Sequence, residues 1–457
     1  MPARESGRRR GRRDGAALRA QEPWRLNVVF VAGRDPRDEV SGGHSAYVRS
    51  YARAALRAGY LPHLFCAAAD SRVEATPFGI VHRIASPVRP FRQLAAGLHA
   101  AWVAPAIVRF ALEQNPEGGA SAAGAAGAAA RRERLLIHGF GVWGYIGVRA
   151  ADELRGLGCD AVAVVSSYTT YEEEARAAAG ALRTGAYGLR HRWAGRLRHL
   201  WVRAAVERWE RRAYLGARRL LLNYESVRQL VQAKYGPAPA CQRIPYTCEA
   251  AFERPAGATG ERAGGEAGFV APGDPRLPLI VTIARHDPRK GLDVLLHALA
   301  ALRQSGMALR ACLVGGGPLL AEHRALAERL GLADAVALVG TVPDTWPYLA
   351  AADLFVLPSR TEQSGSLALI EALQSGTAVV ASAVDGIRED LTDGEDALLV
   401  PPADVAALAG AMRRFLEDAG LRRRLARRGQ ETFLARFSPA AVAAALGEVY
   451  ASLGCGL

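Results

Sequence analysis

The feature that most constrains this chain is the regular alternation running from residue 279 to residue 417. Short apolar runs at 279–284, 310–314, 335–339, 354–357, 378–382 and 397–400 alternate with helical patterns near 291–304, 318–330, 345–351, 366–375 and 404–417. Continuous apolar runs of this kind are strands covered on both faces. Parallel strands need crossovers, and the intervening helices supply them, so the pattern predicts an open parallel sheet with helices on both sides. A noisier copy precedes it. Residues 26–32 (LNVVFVA) form an apolar run, a polar loop ends in Ser41-Gly42-Gly43-His44, and a helical pattern follows from 46 to 58. That succession of strand, glycine loop and helix opens a doubly wound domain. Further strand candidates lie at 61–66, 80–84, 135–138, 161–166 and 220–223.

A chain of 457 residues is too long for one ordinary core. The expected division is a basic, disordered arm at 1–22, a first domain at 23–253 with a flexible Gly/Ala/Ser insertion at 117–130, and a linker at 254–276. A second domain follows at 277–434, and a last helix at 435–457 is expected to cross back to the first. No apolar run is long enough to span a bilayer, and no apolar core follows the N-terminal arginines, so neither a membrane span nor a secretory signal is expected. The six cysteines form no CxxC pair and no metal-ligand spacing, which predicts free thiols in a reducing cytosol.

The net charge of +13 raises the question of a nucleic-acid partner. Its location argues against one. Residues 1–20 hold seven arginines against Glu5 and Asp14, and residues 183–219 hold eleven against Glu207 and Glu210, leaving the remainder close to neutral. In the second segment Leu189, Trp193, Leu197, Leu200, Trp201, Ala204, Ala205 and Trp209 recur at helical spacing. A basic amphipathic helix at 189–219 with tryptophans is suited to an anionic membrane surface, although packing an apolar stripe on the sheet is the commoner use of that pattern.

The chemistry-bearing residues cluster where strands of the second domain end. In Ala284-Arg285-His286-Asp287-Pro288-Arg289-Lys290-Gly291, Arg285 follows a strand and Lys290 precedes a helix. Strand ends at the crevice of an open sheet bind ligands, and helix N-termini favour anions. Val314-Gly315-Gly316-Gly317-Pro318 is a glycine turn that allows close backbone approach, although plain strand-to-helix geometry needs it too. The segment from Leu357 to Leu373 (LPSRTEQSGSLALIEAL) runs from a strand through a polar loop into a helix beginning near Ser366. Its first turn offers N–H groups to a phosphate, and Glu371 sits where a carboxylate accepts bonds from two ribose hydroxyls.

With these residues in view, the sequence resembles family 4 of the retaining glycosyltransferases, of the group 1 superfamily. The resemblance rests on ARHDPRKGLDVLLHAL, LVGGGP, LVGTVP, ADLFVLPSRTEQSGSLALIEALQSGTAVVAS and VDGIREDLTDGEDALLVPPAD, in the family's order. It implies an α/β chain of the GT-B fold, two doubly wound Rossmann-like domains facing across a cleft. It further implies that Arg285 and Lys290 contact the diphosphate of a nucleotide-sugar co-substrate and that Glu371 holds the ribose. Val342, Gly365, Ser366 and Leu367 would border the base and phosphates. The family places seven residues between its two glutamates, whereas eight separate Glu362 from Glu371. Either Glu362 or Gln363 therefore meets the donor sugar.

In the first domain the resemblance assigns Gly42 and Gly43 to the diphosphate, and His138 to the first of two common histidine positions. Tyr168 stands at the second. Retention by front-face attack asks for positioning and charge stabilisation more than a strong base, and a Tyr hydroxyl can orient a sugar. No Asp-x-Asp pair follows a strand, so the expectation is a metal-independent enzyme with no cofactor. Its acceptor would be a hydroxyl on a glycan, a lipid-linked sugar or a small molecule, reached from the cytoplasmic side of the membrane. The competing reading, prompted by Tyr168 and the shifted glutamate, is a non-catalytic GT-B scaffold or partner subunit in glycan assembly.

Overall fold

The computed structural model describes residues 27–33, 35–37, 43–88, 95–114, 134–172, 200–237, 240–254, 256, 271–362 and 365–455. The predicted arm at 1–22, the insertion at 117–130, Gly42, Gln363 and the 189–199 part of the basic helix lie outside them. The chain divides into two compact α/β units. One takes the described residues up to 172 with 200–249 and 439–455, and the other takes those of 250–438.

The first unit is built on β1 (Asn27–Ala32), β2 (Leu61–Ala68), β3 (Arg72–Thr76), β4 (Gly79–Ala85), β5 (Leu135–Phe140), β6 (Ala161–Ser167), β7 (Arg219–Leu222) and β8 (Cys241–Arg243). Their order in the sheet is β3-β4-β2-β1-β5-β6-β7-β8. Val28, Val29, Phe30 and Val31 are fully buried, because helices cover both faces of this central strand. Among the described residues before 250, the α-helices are α1 (Gly43–Arg57), α2 (Ala96–Gln114), α3 (Gly144–Gly156), α4 (Glu207–Gly216) and α5 (Glu225–Tyr235). The pairings are parallel except β3 with β4, a hairpin whose turn needs Gly79 at φ 130°. The sequence order of the parallel strands reverses at β1, with β2 on one side and β5 on the other. In open sheets of this kind a switch point, here beyond the C-terminal ends of β1 and β5, is where ligands bind.

The second unit contains α6 (Ala250–Glu253), β9 (Leu279–Ile283), α7 (Leu292–Gln304), β10 (Arg310–Val314), α8 (Leu320–Arg329), β11 (Val336–Gly340) and α9 (Trp346–Ala351). It continues through β12 (Leu354–Leu357), α10 (Leu367–Ser375), β13 (Ala378–Ser382), α11 (Ile387–Asp390), β14 (Leu398–Val400), α12 (Val405–Glu417) and α13 (Ala419–Thr432). The sheet is wholly parallel in the order β11-β10-β9-β12-β13-β14. Its switch point lies between β9 and β12.

Three expectations are corrected. The basic helix does not run to 219: a π turn at Val202–Val206 leads into α4, which stops at Gly216, and Arg219 already belongs to β7. A Cβ on Gly216 would lie 2.7 Å from Val148, and Ala217 turns extended (φ −71°, ψ 142°), so packing ends the helix where arginine content alone would extend it. The boundary after the first domain falls at 249/250, so α6 and Arg254 already belong to the second unit. The later boundary falls at 438/439, four residues beyond the expected one. There Ser438 is extended, and α14 (Pro439–Ser452) packs on α1 within the first unit.

Candidate functional site

The residues expected to bind a diphosphate follow β9 and β12, the two strands flanking the switch point of the second unit. Beyond β9, Asp287 accepts a bond from Arg289 N–H (3.0 Å) and starts the tight turn Pro288–Lys290. Gly291 closes it at φ 60°, with its absent Cβ 2.1 Å from the carbonyl oxygen of Pro358. Only glycine allows this approach. Contact with the segment after β12 follows directly: Arg360 N–H donates to the Arg289 carbonyl (2.6 Å), and the Arg360 guanidinium grips Asp293 through both oxygens at 2.8 and 2.7 Å.

This stitching brings Lys290 and Glu362 together. The Lys290 ammonium donates to Glu362 Oε1, which also accepts from Ser359 Oγ at 2.7 Å. Glu362 N–H in turn donates to Asp385 Oδ2 at 2.7 Å, and so does Thr361 Oγ1 at 2.6 Å. The Glu362 side chain is 3% exposed and that of Lys290 19%, so a buried carboxylate aims a part-buried cation. Arg285 differs. It is exposed, and its guanidinium takes no partner among the described residues.

The glycine turn after β10 serves packing. A Cβ on Gly315 would lie 2.1 Å from the Ala284 carbonyl oxygen, and one on Gly317 would lie 2.5 Å from the His286 carbonyl oxygen. His286 N–H donates to Gly316 O (2.9 Å), and the His286 ring meets His323 Nδ1 to Nδ1 at 2.8 Å. Burial pushes His286 down to about 4, with His323 beside it adding to the shift, so the pair shares one proton in its neutral form. The backbone carrying Arg285 is thus held by β10's turn and by α8.

At the start of α10, Gly365 (φ 76°) turns the chain, and Ser366 Oγ accepts from Leu369 N–H at 3.3 Å as the cap. Leu367 and Ala368 are left as the unclaimed first-turn N–H donors among the described residues. Leu369, Ile370, Ala372 and Leu373 are buried, which fixes the rotation of the helix and holds Glu371 half-buried. Its carboxylate accepts from Thr345 Oγ1 at 3.0 Å, just before α9. Val342 lies half-buried in the loop leading there.

In the first unit Gly43 is the first residue of α1. Tyr168 follows β6, half-buried, with its hydroxyl bonded to His44 Nδ1 and its ring against Tyr47 at 5.1 Å. The backbone on either side is clamped. Ser167 Oγ and the Tyr214 hydroxyl donate to Thr169 O at 2.8 and 3.2 Å, and Tyr171 N–H donates to Glu210 at 2.8 Å. Glu210 is 1% exposed; burial pushes its carboxyl up, against the bonds from Tyr235 and Tyr171 that hold it down. His44 was not singled out from sequence, although its place directly after the glycine pair was a usable signal.

His138 is a correction. It lies within β5 at 0% exposure, with Nδ1 on the Tyr450 hydroxyl and Nε2 on Ser166 Oγ, both at 2.7 Å. Burial pushes it down to about 3, so it is neutral and fully bonded. It sits inside the strand, where both faces are covered, and acts as a core tie to α14. The candidate catalytic set therefore loses His138.

A family model described as glycosyl transferases group 1 matches residues 277–418. The lipopolysaccharide core biosynthesis glycosyltransferase LpsE of Rhizobium meliloti (strain 1021) is 35% identical over 175 residues, covering 38% of this chain and 50% of that protein. A phosphatidyl-myo-inositol mannosyltransferase of Mycobacterium leprae is 35% identical over 182 residues, covering 39% and 48%. The match thus spans about half the length of these relatives. Among solved structures, a sucrose-phosphate synthase from Thermosynechococcus elongatus has a TM-score of 0.65 at 23% identity, covering 94% of this chain and 99% of that one. WaaG, a glycosyltransferase of lipopolysaccharide biosynthesis, has a TM-score of 0.59 at 20% identity, covering 91% and 98%. At these identities the likeness is one of fold. The chain carries a group 1 glycosyltransferase domain at residues 277–418 on a GT-B fold.

Proposed function

We propose that the protein is a retaining glycosyltransferase that moves a sugar from a nucleotide-diphosphate donor to an acceptor hydroxyl. The observation that carries this is the grouping of Arg285, the Glu362-aimed Lys290 and the capped start of α10 around one switch point. A leaving diphosphate gains negative charge as its bond to the sugar breaks, and fixed cations with unclaimed N–H donors stabilise that charge without reorganising. Glu371 is half-buried and accepts from Thr345 Oγ1, and a carboxylate, which accepts several bonds at once, is the group suited to ribose hydroxyls.

In the front-face course, the anomeric carbon–phosphate oxygen bond breaks and the acceptor oxygen bonds to that carbon on the same face. The acceptor proton passes to the departing phosphate oxygen. No protein base is needed, and the burial of His138 supports this reading. Arg285 and Lys290 supply the charge that a divalent metal would otherwise bring. Relatives named for lipopolysaccharide core and phosphatidylinositol glycosylation favour a glycan or lipid-linked acceptor. Among the described residues no helix is long and apolar enough to cross a membrane.

The test is transfer or hydrolysis with a panel of nucleotide-diphosphate sugars. Arg285→Ala and Lys290→Ala should each lower the rate on the order of 10²–10³. Full rates in both variants would refute the site, and an inactive but nucleotide-binding wild type would favour the scaffold reading. Activity should survive EDTA; loss on chelation with rescue by magnesium would overturn the metal-free part.

A further inference from the structure

One surface of the first unit serves neither its core nor the residues placed above. The solvent side of α2 carries Leu98, Ala101, Trp102 and Pro105 before the first charge, Arg109. Leu98 is 44% exposed and Trp102 39%. Helices on a globular surface normally turn polar residues outward. A second apolar group adjoins it. The Trp209 indole of α4 lies against Gly97, where an ideal Cβ would stand 2.0 Å from the ring. Trp209 in turn makes an edge contact with Trp201, ring centroids 6.1 Å apart. Trp201 and Leu200 are 41% and 63% exposed. The two tryptophan-bearing helical segments therefore meet at Gly97 and turn apolar residues outward beside each other.

Charge exposed on the segment beside this patch is of one sign. Arg203, Arg208, Arg211 and Arg212 are all exposed on the segment that carries Trp201 and Trp209. The acidic residues of that segment do not offset them at the surface. Glu210 is buried, and Glu207 faces Lys234 at 3.3 Å.

We propose that this face, Leu98 and Trp102 from α2 with Leu200 and Trp201, seats the protein on an anionic lipid bilayer. Indole and leucine side chains enter the headgroup boundary, and the arginines meet the lipid phosphates. Charge complementarity selects this occupant. Exposed apolar anchors flanked by cations match a surface that is apolar within and anionic at its rim. A nucleic acid would instead call for aromatics laid along a basic groove. The α2 half of the face could not be anticipated from the arginine-rich helix, because α2 is distant in sequence and carries a single arginine. The proposal fits the lipid-linked acceptor above, but its test reads binding without sugar transfer, so either can fail alone.

The full chain is sedimented with vesicles of phosphatidylcholine and with vesicles of phosphatidylcholine plus phosphatidylglycerol. It should pellet with the anionic vesicles at low salt, be released by high salt, and stay soluble with the neutral ones. A double Leu98→Ser, Trp102→Ser variant changes exposed positions only and should lose at least about tenfold in partitioning. Arg208→Ala with Arg211→Ala and Arg212→Ala should lose comparably, and circular dichroism should match wild type for both variants. Wild type remaining soluble with anionic vesicles overturns the proposal, as does equal binding to neutral ones. So does a Leu98/Trp102 variant that pellets like wild type, or retention on single-stranded RNA without vesicle binding.

Discussion

Glu371 and Glu362 look alike in sequence, yet their surroundings give them different work. Glu362 is nearly sealed, bonded to Ser359 and Lys290, whereas Glu371 is half-buried on a helix face with Thr345 at one oxygen. Glu371→Gln should weaken the thermal shift produced by nucleoside diphosphates and leave the unliganded melting temperature near wild type; an unchanged shift would remove Glu371 from the donor site. Glu362→Ala leaves a part-buried ammonium without its carboxylate and should cost about 3 kcal/mol of stability, read by denaturant titration. Tyr168 asks for a different test. Tyr168→Phe should lower transfer about tenfold while leaving the nucleotide-induced shift intact, since its hydroxyl is held by His44 in the first unit.

At the scale of elements, the strands and helices of the second unit were largely legible, and several of them began or ended where the sequence placed them, as at Arg310–Val314 and Ala378–Ser382. Dense apolar runs, glycine stops and the Ser366 cap are local signals, read without tertiary information. The edge hairpin strand Arg72–Thr76 went unseen because its burial is slight and its pairing partner supplies its order. The burial of His63 and His138, and the partial burial of His82, were equally hidden. His63 and His138 are pushed down to about 3 and His82 to about 4, each chiefly by burial. Their unfolded-state value of 6.5 lies above these folded values, so the unfolded chain binds more protons below pH 6.5. Stability should therefore fall as pH drops from about 6.5 towards the folded values, by up to about 1.4 kcal/mol per pH unit for each histidine. His138→Gln should flatten that slope in pH-dependent denaturation; an unchanged slope would mean His138 is not held neutral.

For the whole molecule, the telling element is α14. It buries Val442, Leu446, Val449 and Tyr450, and Tyr60 donates to the Cys455 carbonyl at 2.8 Å, all within the first unit. Removing residues 439–457 should unfold that unit and leave the second able to show a nucleotide-induced thermal shift. Calorimetry of the truncated chain that retains both transitions would contradict this.

The sequence by itself determined the strand and helix alternation, the α/β class, and the positions of Arg285, Lys290, Ser366 and Glu371 around strand ends and a helix start. These are written in local periodicity and in short spacings along one chain segment. Tertiary structure alone decided that Lys290 meets Glu362, that His138 is a core tie, that His44 holds Tyr168, and that α2 shares an apolar face with the arginine-rich helix. Each of those depends on which distant side chains become neighbours and how far water is excluded, and pairwise burial between separated segments leaves no periodic trace in the sequence.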